Sequence, residues 1–291
     1  MVFNRNEISE ISECPACNNR IFQKQFTKKG KDFWRCTNCG LENQYPLPNQ
    51  EELNKYYDES YSEGMYKTFT DANDMKLATA RQRLKEIRKN CSPGRWLDVG
   101  CSNGIFVEIA RNNGIDAEGI DVSNIAVSDA HKRGLPVFRS TIEEFNPGYQ
   151  YNLITAFDVL EHVLDPISFM QSIFRLLVPQ GMVALSLPDQ GSIIRKIMGK
   201  RWYFYIPEEH MYYFNRSTIS KLLNRTGFDN IQIKIAYKPL TYNYSLTQFE
   251  EYNPSIFTMF SLISKVIPRE MRELVVPLYI GEMMVIAERQ A

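Results

Sequence analysis

The sequence predicts an α/β protein: a doubly wound sheet over residues 93–291, a small ribbon over residues 1–48, and a helical linker or cap over residues 49–92. Two observations carry this. From residue 95 onward, short apolar runs alternate with amphipathic segments, the pattern of strands and helices in a parallel sheet covered on both faces. Ahead of them, four of the six cysteines stand as two Cys-x-x-Cys pairs, a pattern that favours metal over disulfides.

The gross numbers limit the function classes. A chain of 291 residues holds one large domain and an appendage. Lysine plus arginine and aspartate plus glutamate both total 34, so no global field attracts a polyanion. The opening stretch "MVFNRNEISEISEC" lacks an apolar core of signal-peptide length, and no run of about 18 apolar residues occurs. The expectation is a soluble, cytoplasmic protein.

Cys14 and Cys17 in "CPACN" and Cys36 and Cys39 in "CTNCG" are separated by 18 residues, the spacing of a tetrahedral zinc ribbon. Four thiolates leave no open coordination position, so the ion is structural; a redox or vestigial set is the alternative. The unit has almost no core of its own, and zinc binding would supply its folding energy. Between the knuckles, "RIFQKQF" and "KDFWRC" flank "TKKGK" and read as a hairpin. Phe33 and Trp34 either pack against the hairpin or main domain, or stack on bases. After "QYPLPNQ", Tyr56, Tyr57, Tyr61 and Tyr66 either wall off a ligand or belong to a linker packed outside. "DMKLATARQRLKEIRKN" has helical periodicity through Leu77, Leu84 and Ile87 and is expected to cover the ligand side of the main domain.

In the main domain "RWLDV" reads as the first strand and "IFVEIARNN" as a helix stopped by Gly114. "AEGIDV" is the second strand, followed by a helix capped by Ser123 and running toward Gly134. "LPVFRS" and "YNLITAF" are the third and fourth strands, "PISFMQSIFRLL" a helix, and "GMVALSLP" the fifth strand. The loop "LDVGCSNG" therefore lies at the carboxyl edge of the sheet, where this architecture binds ligands. A dinucleotide loop needs glycines at its first, third and sixth positions; here these are Gly100, Ser102 and Ile105. Asp98 would also aim a carboxylate at the pyrophosphate. A cationic ligand removes the conflict. Asp121 in "GIDVS", 23 residues beyond Asp98, ends the second strand and can accept both hydroxyls of a ribose.

"LDVGCSNG", "GIDVS", "STIEEF" and "FDVLEHVLDP" resemble successive motifs of class I S-adenosylmethionine-dependent methyltransferases, particularly the group that includes polyprenyl-dihydroxybenzoate O-methyltransferases. The knuckles, "CGLENQYPLP" and "PEEHMYYFNRSTISKLLNRTGF" further resemble bacterial methyltransferases with an N-terminal zinc ribbon, many in sugar, antibiotic or surface-glycan pathways. The resemblance implies a Rossmann-like seven-stranded sheet. "DNIQIKIAY" would be its sixth strand and "GEMMVIAERQ" its antiparallel closing strand, with a lid-like insertion around residues 238–280. S-adenosylmethionine, with its sulfonium and ammonium groups, would lie with its methionine end on Asp98, Gly100, Cys101, Ser102 and Gly104. Its ribose would meet Asp121, its adenine Thr141 and Ile142, and Val122 and Phe157 would line the cofactor site. Ser102 stands where the loop often has glycine.

Methyl transfer is an in-line displacement in which alignment supplies much of the acceleration, and a base is needed only where the acceptor must lose a proton. His162 in "DVLEH" and His210 in "PEEHMYYF" are the catalytic candidates. The alternative is structural: a hydrogen bond fastening the loop for His162, and an anchor for the next helix, capped by Asn215 or Ser217, for His210. His131 reads as a surface residue near a helix carboxyl end. In the polyprenyl-dihydroxybenzoate group an acid, a glutamate and a histidine can hold a divalent metal such as magnesium, and Asp158, Glu161 and His162 match in kind and spacing. The cluster Trp202, Tyr203, Phe204, Tyr205, Tyr212, Tyr213 and Phe214 suits sugar rings or planar acceptors, with core packing claiming about half. "SIFTMFSLISKVIP" is expected to be a lid helix, a dimer face or a helix on a membrane surface. The function expected is methyl transfer to a small-molecule or carrier-linked sugar acceptor, first at oxygen. The rivals are an RNA methyltransferase gripping nucleic acid through "QKQFTKKGKDFWR", with Lys28, Lys29 and Lys31, and a binding module without turnover.

Overall fold

In the ribbon, Lys29 and Gly30 both take positive φ, 47° and 76°, and so form the two-residue turn that matches strand twist. They join β2 (Ile21–Lys28) to β3 (Lys31–Cys36), with Lys28 opposite Lys31. Outside this hairpin, β1 (Val2–Asn4) pairs with β2 and β4 (Glu42–Tyr45) with β3, all antiparallel. The computed structural model describes residues 2–4, 13–49, 52–53, 73–89, 91, 93–246, 257–258, 261–262, 264 and 266–291. Tyr56, Tyr57, Tyr61 and Tyr66 lie outside the described residues, as does much of the apolar segment from 255 to 268.

The main domain alternates as its sequence does. Helix α1 (Asn73–Ile87) leads into β5 (Arg95–Val99), α2 (Ile105–Asn112), β6 (Asp116–Asp121), α3 (Asn124–Lys132), β7 (Val137–Arg139) and β8 (Tyr151–Phe157). Then come α4 (Pro166–Leu176), β9 (Leu177–Pro188), α5 (Ile193–Met198), β10 (Tyr212–Tyr213), α6 (Arg216–Arg225), β11 (Phe228–Leu240), α7 (Arg269–Arg272) and β12 (Val276–Arg289). The caps explain the helix starts: Ser123 accepts from the Ala126 N–H, and Asp165 accepts from the first turn of α4 with Pro166 behind it. Asn215, rather than Ser217, caps α6, in a reciprocal box with Thr218. His131 is bonded to a neighbour rather than to its helix end: its Nε2 lies 2.6 Å from the Val137 carbonyl.

Seven strands form one sheet in the order β11-β12-β9-β8-β5-β6-β7. β7, β6, β5, β8 and β9 are parallel, and β12 runs antiparallel between β9 and β11. Three strands run well past their sequence outlines, β9 beginning four residues early at Leu177. β11 continues to Leu240 and β12 begins at Val276, with Pro239 opposite Pro277, so the insertion between them shrinks to residues 241–275. The prolines hide this extension, because they break strand patterning yet are tolerated where ladder bonds are not required. Among the described residues, no helix is long and apolar enough to cross a membrane.

The ribbon is continuous with the main domain. β10 pairs antiparallel with β4, Tyr212 opposite Asn43, which makes the ribbon a five-stranded sheet completed by the segment after β9. Phe33 packs edge-on against Tyr205, 5.1 Å between ring centroids, in a cluster with Trp202 and Tyr213. Below it lies Glu42, fully buried. Its carboxylate accepts from Arg35 at 2.6 Å, Arg195 at 3.0 Å and the Tyr205 hydroxyl at 2.6 Å. Arg225, at the end of α6, donates to the carbonyls of Cys14 and Pro15 in the first knuckle. The aromatics predicted as an acceptor surface thus largely cement this joint. A buried carboxylate with three donors is stable, but its removal strands them. Glu42→Ala is expected to lower unfolding stability in urea by about 2 to 3 kcal/mol; an unchanged midpoint would mean that the joint carries no load.

Candidate functional site

The loop after β5 is shaped by backbone bonds. Both Gly100 and Cys101 donate their N–H to the Ile120 carbonyl, folding the loop over the end of β6. Gly100 has φ of 68°, and a Cβ there would lie 2.5 Å from a Val159 methyl, so the position needs glycine for conformation and for space. Ser102 takes φ of 51° and gives its N–H to Asp121 Oδ2 at 2.7 Å; Ser123 N–H meets Oδ1 at 2.9 Å. Asp121 therefore holds the loop as well as ending β6. Gly104 is the N-cap of α2.

Asp98 is 6% exposed and accepts from the Thr155 hydroxyl at 2.6 Å. Burial pushes its carboxyl up to about 7, against the pull of Thr155 and of Arg83. A second buried acid, Asp121, is raised by burial too, with the backbone donors pulling the other way. Two desolvated carboxylates over one glycine-bent loop make a cradle for a cation, and this fits S-adenosylmethionine better than an anionic dinucleotide.

Other expected cofactor residues divide. Phe157 stands at the end of β8, edge-on to Phe106 at 5.1 Å, and Thr141 is half-buried in the loop after β7. Val122 is 46% exposed beside Asp121. Cys101 and Ile142 turn their side chains into the interior: Cys101 packs on Gly119 of β6, and Ile142 joins the main core with Leu97 and Val99. In each case the apolar side chain follows the core.

Arg83 was not legible as a site residue. It projects from α1 with its guanidinium 4.5 Å over the Phe157 ring, donating to Asp158 Oδ2 at 2.7 Å and to Ser186 Oγ at 2.9 Å. Lys238 lies 3.4 Å from the same carboxylate and 2.8 Å from Glu282. Burial works against the Asp158 charge, but the two cations overcome it and hold this carboxyl well below the usual range. The signal in the sequence is a single arginine on the face of α1 that buries Ala80, Leu84 and Ile87.

Asp158 is thereby withdrawn from the expected Asp158–Glu161–His162 metal set. His210 takes its place: ligand atoms of Glu161, His162 and His210 lie within 4.8 Å of one another. The cause is a backbone bond. Met211 donates its N–H to the Glu161 carbonyl at 2.7 Å, bringing the two segments together, and the imidazoles stand edge to face with centroids 4.7 Å apart. Burial raises the Glu161 carboxyl well above its usual value, helped by the Asp158 charge. It lowers both histidines, His210 strongly, so each imidazole is neutral near pH 7.

In the ribbon, Cys14 and Cys39 sulfurs lie 3.5 Å apart and those of Cys17 and Cys36 3.6 Å. Thiolates around zinc, each about 2.3 Å from the ion, stand about 3.8 Å apart, so the four cysteines fit that ion. Phe33 and Trp34 are both buried and Lys29 is paired with Glu208 at 2.9 Å, which removes the base-stacking aromatics the nucleic-acid reading requires.

A family model described as a methyltransferase domain matches residues 72–233. Among curated relatives, a ubiquinone biosynthesis O-methyltransferase of Vibrio cholerae is 27% identical over 212 residues, covering 67% of this chain and 84% of that one. One from Psychrobacter arcticus is 26% identical over 234 residues, covering 70% and 90%. Among solved structures, magnesium protoporphyrin IX methyltransferase from Synechocystis superposes with a TM-score of 0.56 at 14% identity, over 83% of this chain and 100% of that one. An S-adenosylmethionine-dependent methyltransferase from Thermotoga maritima gives 0.53 at 17%, over 81% and 99%. These two speak for the fold. The family match runs from α1 into β11, across the whole cofactor edge of the sheet, and the chain belongs to the methyltransferase-domain family as a class I S-adenosylmethionine-dependent methyltransferase.

Proposed function

We propose that the protein transfers a methyl group to an oxygen of a small hydroxylated acceptor, a free or carrier-linked sugar included. The observation that carries the cofactor half is the desolvated pair Asp98 and Asp121 at the loop after β5. Oxygen as the accepting atom is supported by the names of the curated relatives, which are O-methyltransferases of ubiquinone biosynthesis. The compartment that agrees with this reading is the cytoplasm.

Bound at this edge, S-adenosylmethionine supplies a methyl group on a sulfonium that leaves as a neutral thioether. The chain's part is to hold and to exclude water. Asp98 answers the cationic methionine end, Asp121 the ribose hydroxyls, and Thr141 with the backbone of Ile142 the adenine. Arg83, lying over Phe157, offers the cofactor carboxylate its partner. Phe157 and Phe106 keep the transfer path dry. On the acceptor side, His162 and His210 present neutral imidazoles to the proton that a hydroxyl must lose. Phe204, half-buried and 6.2 Å from the His210 ring in a stacked orientation, offers a face to a planar or sugar ring.

Three outcomes are expected. Cofactor affinity by calorimetry rises by about tenfold per pH unit up to about 7 and levels off above, because a cation selects the ionised form of a carboxyl whose pKa burial has raised. Asp98→Asn binds weakly and without that pH dependence; a flat profile in the natural protein would remove Asp98 from the site. Asp121→Ala loses about tenfold or more in affinity, and unchanged affinity with a native circular dichroism spectrum would refute its ribose role. With catechols, phenols and sugar nucleotides screened by release of S-adenosylhomocysteine, His210→Gln lowers kcat by about 100-fold while cofactor affinity stays. Methylation at nitrogen or carbon alone would contradict the oxygen assignment.

A further inference from the structure

Helix α1 has two faces with different surroundings. Arg83 reaches the cofactor edge, whereas Arg81 and Lys85, two residues to either side of it, stand about 160° away around the helix. On that far face Arg81, Lys85, Arg88 and Lys89 are all exposed, and they rim a groove of about 330 Å³ between α1 and α2 whose floor is Leu84 and Ile109. Among the described residues, none of the four pairs with an acid. The acids of the two helices are placed elsewhere. Asp74 stands in the first turn of α1, at its other end, Glu86 accepts from Gln82 in a separate crevice, and Glu108 pairs with Arg133. Asp116, at the start of β6, faces Arg95 and Arg111.

Local stability does not account for this set. Lys85 has Arg81 four residues before it and Arg88 and Lys89 three and four after it, and like charges at these spacings weaken a helix. The helix dipole favours cations at the end of α1, which covers Lys85, Arg88 and Lys89 but not Arg81, outside the last turn. The floor residues are 5% and 7% exposed, so little apolar surface is left for an anchoring side chain and the cations carry any binding. A nucleic acid needs a basic track that continues, and a chain of zero net charge supplies no such field. The groove lies instead within the size range of small-molecule sites, about 300 to 1,000 Å³, and is more than one phosphate fills.

We propose that this groove binds a small molecule through a diphosphate group, at a site separate from the cofactor edge. Two guanidinium forks and two ammonium groups match the adjacent anionic oxygens of a diphosphate. A free nucleotide and a lipid-linked carrier present that same chemistry. The proposal stands independently of the methyl-acceptor reading.

The test is calorimetry of the full chain with inorganic pyrophosphate at about 0.15 M salt, with S-adenosylhomocysteine present to occupy the cofactor edge. One saturable site per chain is expected, with inorganic phosphate bound about tenfold or more weakly. Uridine diphosphate and farnesyl diphosphate then separate the sources, the tighter of the two identifying nucleotide or lipid carrier. Arg81→Glu and Arg88→Glu should each weaken pyrophosphate binding about tenfold, whereas Lys221→Glu, at an exposed cation of α6, leaves it unchanged. Arg81→Glu also sets a glutamate four residues before Lys85, a favourable pair, so its unfolding midpoint holds or rises while binding falls. Loss of affinity in that variant is therefore not loss of fold. Cofactor affinity stays native in these variants and reports on the methyltransferase reading separately. Four results would each overturn the assignment: no saturable binding up to about 1 mM pyrophosphate, equal binding of phosphate and pyrophosphate, equal weakening by Lys221→Glu, or an RNA oligomer that displaces pyrophosphate with steep salt dependence.

Discussion

A short relay of backbone hydrogen bonds holds the two halves of this molecule in register. Gln44 of β4 donates its N–H to the Met211 carbonyl, and Met211 donates its own to the Glu161 carbonyl at the end of the β8 loop. A two-residue strand such as β10 has no independent stability. It exists because β4 gives it a partner and because Glu42, Arg195 and Tyr205 close the joint beneath. The four cysteines fix the turn from which β4 departs, with Cys36 donating its N–H to Leu41 just ahead of it. The paired cysteines, the ribbon sheet and the segment from Trp202 to Phe214 are thus one mechanical unit.

The carboxyl edge of the main sheet divides its acids by environment. Among the described residues, Asp98 and Asp121 are desolvated without a side-chain cation bonded to them, the condition in which a carboxylate favours a cationic partner. Asp158, one strand away, has Arg83, Lys238 and Ser186 and is spent on structure. The same residue type therefore does two jobs, and the deciding variable is whether the fold supplies a fixed cation. α1 makes this division by carrying Arg83 across the end of β8.

Much of this could be read before any coordinates. The clustering of the four cysteines, the Ser123 cap and the parallel core strands follow from local chemistry and periodicity. What escaped is non-local. The β4–β10 pairing leaves no periodic trace, since two residues cannot show alternation. The exchange of Asp158 for His210 depends on a bond between segments some fifty residues apart, while the motif spacing pointed to the nearer acid. Arg83 is one of two arginines in α1, and only its neighbours distinguish it from Arg81. Cys101 and Ile142 stand at motif positions, and the inward course of their side chains follows from the neighbouring core rather than from the motif.

The ribbon holds the segment from Trp202 to Phe214 in place through β4 and β10, while the loop after β5 stands on the main sheet. Hydrogen exchange read by mass spectrometry, before and after zinc is removed by chelation, tests it most directly. Residues 202–214 are expected to lose protection together with residues 31–45, while β5, β6 and β8 keep theirs. Unchanged protection of residues 202–214 in a zinc-free ribbon would contradict the account.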